Sequence, residues 1–262
     1  MDHQTQNVLP FSQDIHPTPT VADTYKILHI LKRKNLPTEL ALQIISLGYS
    51  PWVAKRRVYQ NTYHVPGGLM PSDESNITGL YLSTGRTPGN GIRVVPHRII
   101  FQTNAADQGW ADAGGHGTYE NSHTWFEASI LRPFPIGIEE NRQYVALEDI
   151  LPNQWLDAVT RDANPLRNDL NNKGWDLVEA EDGRVTWRVC NNLTASKPYR
   201  DYKVEWRRGV QTEVEDERAE GTGDGFLELL EPGFIVVLWA RAQQWNWRNR
   251  VQAATIEIEY KL

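Results

Sequence analysis

Strict alternation of apolar and polar residues beyond about residue 65 is the feature that most constrains the fold. Three stretches show it clearly: Val185-Thr-Trp-Arg-Val189, Tyr202-Lys-Val-Glu-Trp206 and Ile256-Glu-Ile-Glu-Tyr260. Because successive side chains of a strand point to opposite faces, each stretch predicts a strand with one buried and one solvated face. An antiparallel β-architecture is therefore indicated.

Other segments complete the predicted sheet structure. Residues 235–242 are apolar on both faces, which is typical of a central strand between two covering layers. Further strands are predicted near residues 77–83, 98–103 and 124–131, and turn formers at residues 85–91 predict a loop. The pattern favours a mainly β fold, an antiparallel β-sandwich or jelly roll, for residues 65–262.

Three less regular segments lie among these strands. We expect a short helix from residues 147–152 and 155–159, and a polar loop at residues 164–173. Residues 213–224 contain six acidic residues against Arg218, which predicts an exposed acidic loop.

The N-terminal part has a different pattern. Residues 1–23 are polar and rich in Pro, which predicts a flexible arm. Residues 24–64 are predicted as a small helical segment, with a first helix near residues 25–32 and a third short segment at residues 51–59.

The second predicted helix follows Leu36. Pro37 and Glu39 suit the first turn of a helix. Leu40, Ile44 and Leu47 then recur at helical spacing, so they share one apolar stripe.

Charge is unevenly distributed along the chain. The net charge is −6, but residues 25–64 hold seven Lys or Arg and one acid, so this segment is locally basic. It is interpreted either as a solvated face or as a docking surface for an acidic partner or for the protein's own acidic loop. The full chain has a mildly negative net charge, which gives no reason to expect a nucleic acid or a membrane as its partner.

The sequence also indicates a soluble, intracellular protein, cytoplasmic or nuclear. No basic patch followed by an apolar run is seen in residues 1–23. The longest nearly unbroken apolar stretch, residues 234–240, is far shorter than the ~20 residues that span a bilayer.

The densest group of chemically capable side chains lies between two predicted strands, where irregular segments commonly form binding sites. The candidate ligand-binding residues there are Asp107, Trp110, His116, Tyr119, His123 and Trp125. Four residues of this loop have side chains able to ligate a metal: Asp107, Asp112, His116 and His123. Their spacing matches no known ligand pattern, so we predict no metal. The alternative to ligand or peptide recognition is structural, with Gly supplying turns and aromatic residues closing the sandwich.

A second candidate binding region follows the apolar strand of residues 235–242. It contains Arg241, Trp245 and Trp247. Aromatic faces with polar groups nearby can bind a sugar ring or a peptide. The alternative is that both Trp pack a loop against Arg side chains.

Conventional catalytic motifs are absent from the sequence, which has no G-x-S-x-G, H-E-x-x-H or G-x-G-x-x-G pattern. The lone Cys190 is predicted to pack in the core. We therefore expect no catalytic residues and no cofactor. The alternative is an atypical enzyme of cyclase or isomerase type that uses the loop from Asp107 to His123.

Two parts of the chain resemble known proteins. Leu36-Pro-Thr-Glu-Leu-Ala-Leu-Gln-Ile-Ile45 resembles the opening helix of an F-box, Leu-Pro-x-Glu-Leu followed by an apolar helix. The aromatic motifs resemble those of uncharacterised fungal proteins that carry an F-box-like segment ahead of a Trp-rich β-sandwich. The matching stretches are residues 107–110, 117–119, 124–127, 187–192, 238–242 and 247–249.

This resemblance implies an intracellular, non-enzymatic interaction module. Its helical segment would dock a Skp-type adaptor of a ubiquitin ligase through Leu36, Pro37, Leu40 and Ile44, and its sandwich would receive the target. Because some F-box-associated sandwiches bind glycans, a carbohydrate or small-molecule ligand is the alternative.

Overall fold

The computed structural model describes residues 19–67, 76–88, 94–134, 155–158 and 164–262. In this part of the chain the helices are α1 (Val21–Arg33), α2 (Thr38–Gly48) and α3 (Asn164–Asn171). The strands are β1 (Trp52–Pro66), β2 (Asn76–Ser83), β3 (Val95–Ala106), β4 (Thr124–Pro133), β5 (Trp155–Ala158), β6 (Trp175–Leu177), β7 (Trp187–Asn191), β8 (Arg200–Arg207), β9 (Ile235–Gln243) and β10 (Arg248–Lys261).

The strands form two antiparallel sheets. The first sheet has the order β1-β10-β3-β8, and the second has the order β5-β2-β9-β4-β6, with β7 also paired to β4. Strands adjacent in sequence, such as β1 and β2 or β3 and β4, lie in different sheets. The order β1-β10-β3-β8 facing β2-β9-β4-β7 is that of a jelly roll, so the predicted antiparallel sandwich is confirmed.

The main core lies between the two sheets. It combines alternate residues of β3 and β10 with alternate residues of β4 and β9. Trp206 and Phe226 pack edge-to-face within it, with 5.2 Å between their ring centroids. Burial of these apolar faces is the dominant stabilising term, about 25 cal/mol per Å².

The two faces outside this core differ. The outer face of the first sheet carries a polar ladder, in which Arg98 pairs with Glu259 at 2.7 Å and Arg207 pairs with Glu205 at 2.6 Å. The outer face of the second sheet is covered: Trp239 of β9 packs with Leu166 and other residues from α3 and β6. This second layer explains why β9 is apolar on both faces, as its sequence predicts.

The helices α1 and α2 form a hairpin ahead of β1. Thr20 caps α1 through a capping box with Asp23, in which the Thr20 hydroxyl oxygen accepts from the Asp23 N–H at 3.1 Å. The Thr24 hydroxyl donates to the carbonyl of Tyr49 at 2.9 Å, which ties the start of α1 to the end of α2. The first two predicted helices are therefore confirmed, and α1 begins at Val21, inside the predicted arm.

The predicted third helical segment is wrong. Residues 51–59 lie mostly in strand β1, whose residues from Trp52 to Pro66 pair with β10. Val53 packs on the core while the next residue points away from it, so pairing and burial override local helix preference. The helical segment therefore ends before β1 rather than at residue 64.

Two further predictions are wrong for the same physical reason. Residues 155–158 form strand β5, because β2 offers it a pairing edge, rather than the expected helix. Residues 164–173 are not a loop, since α3 buries Leu166 and Leu170, which are spaced at i and i+4, against the second sheet. Residues 1–18, 89–91 and 147–152 lie outside the described residues.

Within the described ranges, none of the helices is both long and apolar enough to cross a membrane.

Candidate functional site

Three connections meet at one end of the sandwich. They are residues 107–123 between β3 and β4, residues 192–199 between β7 and β8, and residues 244–247 between β9 and β10. Antiparallel pairing of these strands brings the connections to the same end, which we call the loop end. The helices α1 and α2 lie at the opposite end, where β1 begins and β10 finishes.

Asp107 joins two of these connections from a buried position. Its Oδ1 accepts from the Gly109 N–H at 2.7 Å, and its Oδ2 accepts from the Ala195 N–H. Burial raises the pKa of Asp107 to about 6, although these N–H donors act in the opposite direction. The sequence-predicted site residue Asp107 therefore organises the loop end from within.

Gln108 and Arg250 brace the same loops. The Gln108 amide donates to the Trp110 carbonyl at 2.7 Å and accepts from the Arg248 N–H at 3.1 Å, so it links the first and third connections. Arg250 Nε donates to the Asp107 carbonyl at 2.7 Å, and its Nη2 donates to the Lys197 carbonyl at 2.6 Å. The sequence does not indicate these roles of Gln108 and Arg250, because each role depends on contacts between residues that are distant along the chain.

The four Trp of the candidate sites have two different environments. Trp125 and Trp247 are buried. Trp110 and Trp245 keep 42% and 49% of their surface exposed. Trp245 stands in a tight connection between Gln244 and Asn246, which both have left-handed backbone, so its side chain is held out from the sheet.

The remaining candidates of the first loop do not share one environment. His116 is exposed, and Tyr119 is half-buried. The half-buried His123 ring packs edge-on against Trp247, with 4.8 Å between centroids, and burial lowers its pKa. Burial likewise raises the pKa of Tyr119. Asp107, His116 and His123, the acid and base groups of the enzyme alternative, thus lie in three different environments.

Arg241 belongs to a different cluster, on the outer face of the second sheet. Its Nε pairs with Glu127 Oε2 at 2.8 Å, and both side chains are largely buried. The Trp125 indole N–H donates to Glu127 Oε1 at 2.7 Å, and the Arg188 guanidinium lies 4.3 Å from the centre of the Trp125 ring. In this structure Trp125 packs against Arg188, and Arg241 pairs with Glu127, within the protein.

The hairpin carries the second candidate surface. Leu40, Ile44 and Leu47 on α2 expose 49%, 40% and 87% of their surface, and Ile30 on α1 exposes 52%. We call these four residues the hairpin surface. Of the other predicted partner-binding residues, Pro37 is exposed and Leu36 is half-buried. The helical spacing of Leu47 predicted that it lies on the same face as Leu40 and Ile44. The sequence pattern gave no such indication for Ile30.

The basic residues near the hairpin separate into two groups. Lys26, Lys32 and Arg33 on α1 are exposed. Arg57, by contrast, lies on β1, where its Nη1 donates to the Tyr81 carbonyl at 2.6 Å. The basic surface at this end is therefore mainly that of α1.

The middle of the acidic loop, around Arg218 and Ala219, lies away from the hairpin. Arg218 pairs with Glu120 at 2.8 Å, and the Ala219 carbonyl accepts from the Asn191 N–H at 2.7 Å. Both contacts place this loop beside the loop end. This part of the acidic loop therefore contacts the loop end rather than the basic helices.

The described residues contain no group of three His, Cys, Asp or Glu that could hold a metal ion. An open cavity of about 280 Å³ lies between the end of β8 and residues 222–228, lined in part by Trp206, Val210 and Leu227. It is at the hairpin end of the sandwich and contains none of the predicted site residues.

No family model matches the chain, and neither a curated protein nor a solved structure matches it.

Proposed function

We propose that this protein is an intracellular, non-enzymatic interaction module that resembles the substrate receptors of ubiquitin ligases. In this proposal the hairpin surface docks a protein partner, for which a Skp-type adaptor is the first candidate. The sandwich serves as the recognition domain. The observation that carries the proposal is the exposed apolar stripe on α2.

The stripe is costly to leave in water. Leu40, Ile44 and Leu47 recur at i, i+4 and i+7, so their side chains form one continuous face on α2. An adjoining face of the same helix buries Ala41 and Ile45, which already anchor it to the protein. A second apolar face is therefore not needed for folding, and such a face is typical of helix-mediated docking.

Charge at the hairpin indicates the nature of the partner. Exposed Lys32, Arg33 and Lys34 follow one another where α1 ends. On the described part of the hairpin the exposed acids are Asp23 and Glu39. A partner with an apolar pocket and an acidic rim would complement this surface.

The docking element proposed here is a two-helix hairpin. Since the residues after α2 form β1, the F-box resemblance extends over α2 and not over a third helix. Binding would therefore depend on α1 and α2 alone.

Calorimetric titration of the full chain with a purified Skp-type adaptor tests the proposal. Leu40→Glu and Leu47→Glu should each weaken binding at least ~10-fold, since a carboxylate cannot enter an apolar pocket without desolvation. Ser46→Glu is the matched control, because it adds the same charge at an exposed position off the stripe.

Adaptor binding that both Leu variants weaken by at least ~10-fold and that Ser46→Glu retains would support the proposal. No measurable binding by the wild-type chain, or equal binding by all variants, would overturn adaptor docking. Unchanged thermal unfolding of the variants would show that the fold is intact.

A further inference from the structure

We infer that the loop end binds an acidic oligosaccharide, with Trp110 and Trp245 as the faces on which sugar rings stack and Arg248 as the partner of a sugar carboxylate. The inference rests on the proposed role of the sandwich as a recognition domain. It does not depend on adaptor docking by the hairpin surface.

Exposure singles out these two aromatic residues. Among the Trp whose burial the structure describes, Trp110 and Trp245 alone are exposed, and the others are buried or half-buried. Placing an indole in water forgoes about 1.5–3 kcal/mol of burial free energy. Two such side chains on neighbouring connections of one end are typical of a ligand surface.

The connections that carry both Trp are held in place. Gln108 bonds to the backbone of Trp110 and Arg248, at 2.7 Å and 3.1 Å. Gly109 lies so close to Lys197 that a Cβ on Gly109 would come within 2.8 Å of the Lys197 Cβ. Three connections therefore meet around Trp110, and little conformational entropy is lost when a ligand binds there.

An exposed cation close to Trp245 in the chain favours an anionic ligand. Arg248 is exposed, and no ion pair joins its guanidinium to a carboxylate of the described residues. Lys197 is exposed on the second connection, where its carbonyl accepts from Arg250, and the pKa of His64 is lowered by burial and by the charges of Arg248 and Arg250. Asp112 and Glu120 are exposed acids of the same end, and Glu120 is paired with Arg218 of the acidic loop at 2.8 Å. The exposed cation nearest in the chain to Trp245 is Arg248.

The combination of groups fits a sugar better than a nucleic acid or an acidic peptide. The flat C–H faces of a pyranose pack on indole rings, and a single guanidinium suffices for an isolated carboxylate. Single-stranded DNA lacks such pyranose faces, and its charge lies on the phosphate of every nucleotide. Uronic-acid oligosaccharides carry both required features.

Binding of tetragalacturonate and of a hyaluronan tetrasaccharide tests the inference. Titrations would use the full chain, with Trp fluorescence and calorimetry as readouts. The matched neutral probes are the carboxyl-methyl-esterified forms of the same oligosaccharides. A poly-glutamate peptide and a single-stranded oligonucleotide are titrated in parallel.

Trp110→Ala and Trp245→Ala should each weaken binding of an acidic tetrasaccharide at least ~10-fold. Tyr49→Ala is the matched control, since it removes an exposed aromatic ring at the hairpin end. Arg248→Gln should weaken binding of the acidic probe about 10-fold and leave binding of the esterified probe unchanged. Lys203→Gln, an exposed charge on β8, is its control.

No binding of either acidic tetrasaccharide would overturn the inference. So would equal binding of the acidic and esterified probes, or stronger binding of the peptide or oligonucleotide. Failure here would leave adaptor binding by the hairpin surface intact. Conversely, Leu47→Glu should not alter oligosaccharide binding, so the two proposals fail separately.

Discussion

Glu127 and Arg241 form an ion pair on the outer face of the second sheet, with 2.8 Å between Glu127 Oε2 and Arg241 Nε. The two side chains retain 12% and 9% of their surface, so both charges are largely removed from water. Burial alone would raise the pKa of Glu127, but the guanidinium groups of Arg241 and Arg188 bring it below its usual value. The nearby guanidinium groups thus favour the ionised carboxylate against the effect of burial.

Arg241→Met tests this dependence. The substitution keeps most of the side-chain volume but removes the closest cation, so Glu127 remains a buried carboxylate with a more distant partner. We expect the free energy of unfolding to fall by about 3–5 kcal/mol, as when one partner of a buried pair is lost. Urea denaturation monitored by Trp fluorescence measures the change.

Arg207→Met is the control for that measurement. Arg207 pairs with Glu205 at 2.6 Å, but its side chain is 51% exposed on the open face of the first sheet. Exposed pairs contribute about 0–1 kcal/mol, so this variant should remain near wild-type stability. Equal losses in the two variants would contradict the distinction between the two sheet faces.

Asp107 should make stability pH-dependent in a mildly acidic window. Because burial raises its pKa to about 6 in the folded chain, the folded state holds this proton more tightly than the unfolded state, where Asp titrates near about 3.9. Its contribution to stability is therefore full below about pH 4 and is lost as the pH rises through about 6.

Asp107→Asn isolates this contribution, since an amide does not titrate. Urea denaturation at about pH 4 and about pH 7 should show the wild-type chain losing stability relative to the variant as the pH rises. A stability difference that stays constant across this window would show that Asp107 keeps an ordinary pKa in the fold.

The contrast between confirmed and wrong predictions has one physical origin. Strand β9 was predictable because a run that is apolar on both faces requires cover on both sides. Strand β5 and helix α3 were not, because their partners, β2 and the second sheet, are distant in the sequence. Local propensity could not show which edge or face was available.

The same limit applies to the candidate site. The sequence placed Trp110, Trp125, Trp245 and Trp247 in or beside loops. In the structure Trp125 and Trp247 are buried. The burial of Trp125 involves Arg188, a neighbour in another strand that the local pattern cannot reveal. The residue types predicted which segments are rich in Trp, but not which of these Trp side chains remain exposed.

Gly223 should not tolerate a side chain. Its φ is +70°, and a Cβ there would lie 2.1 Å from an atom of the Trp206 ring, which is fully buried in the core. Gly223→Ala therefore adds overpacking, typically about 1–3 kcal/mol, to the cost of left-handed backbone. We expect a clear drop in the thermal midpoint by calorimetry.

Gly225→Ala is the matched control for that drop. Gly225 has a similar φ of +75°, but no atom lies within 4 Å of the position its Cβ would take. The variant should therefore show only the backbone cost, about 1–2 kcal/mol. If both variants lost the same stability, contact with Trp206 would not be the cause.

Cys190 should be unreactive until the sandwich opens. It is buried in β7, its Sγ lies 3.8 Å from the Thr103 hydroxyl, and burial raises its pKa to about 12. Since the thiolate is the reactive form, labelling by an aromatic disulfide reagent should be at least ~10³-fold slower in buffer than in denaturant. Glutathione under the same two conditions controls for the reagent.

The rate at which the segment beside β7 opens should then determine the rate of Cys190 labelling. The Cys190 backbone forms a bridge with Glu220, and the Gly221 N–H donates to the Val189 carbonyl at 3.2 Å, so the segment before Gly223 covers this strand. Gly223→Ala displaces the ring beneath that segment and should speed labelling at least ~10-fold relative to wild type, whereas Gly225→Ala should speed it less. Rapid labelling of the wild-type chain in buffer would mean that this segment does not protect the thiol.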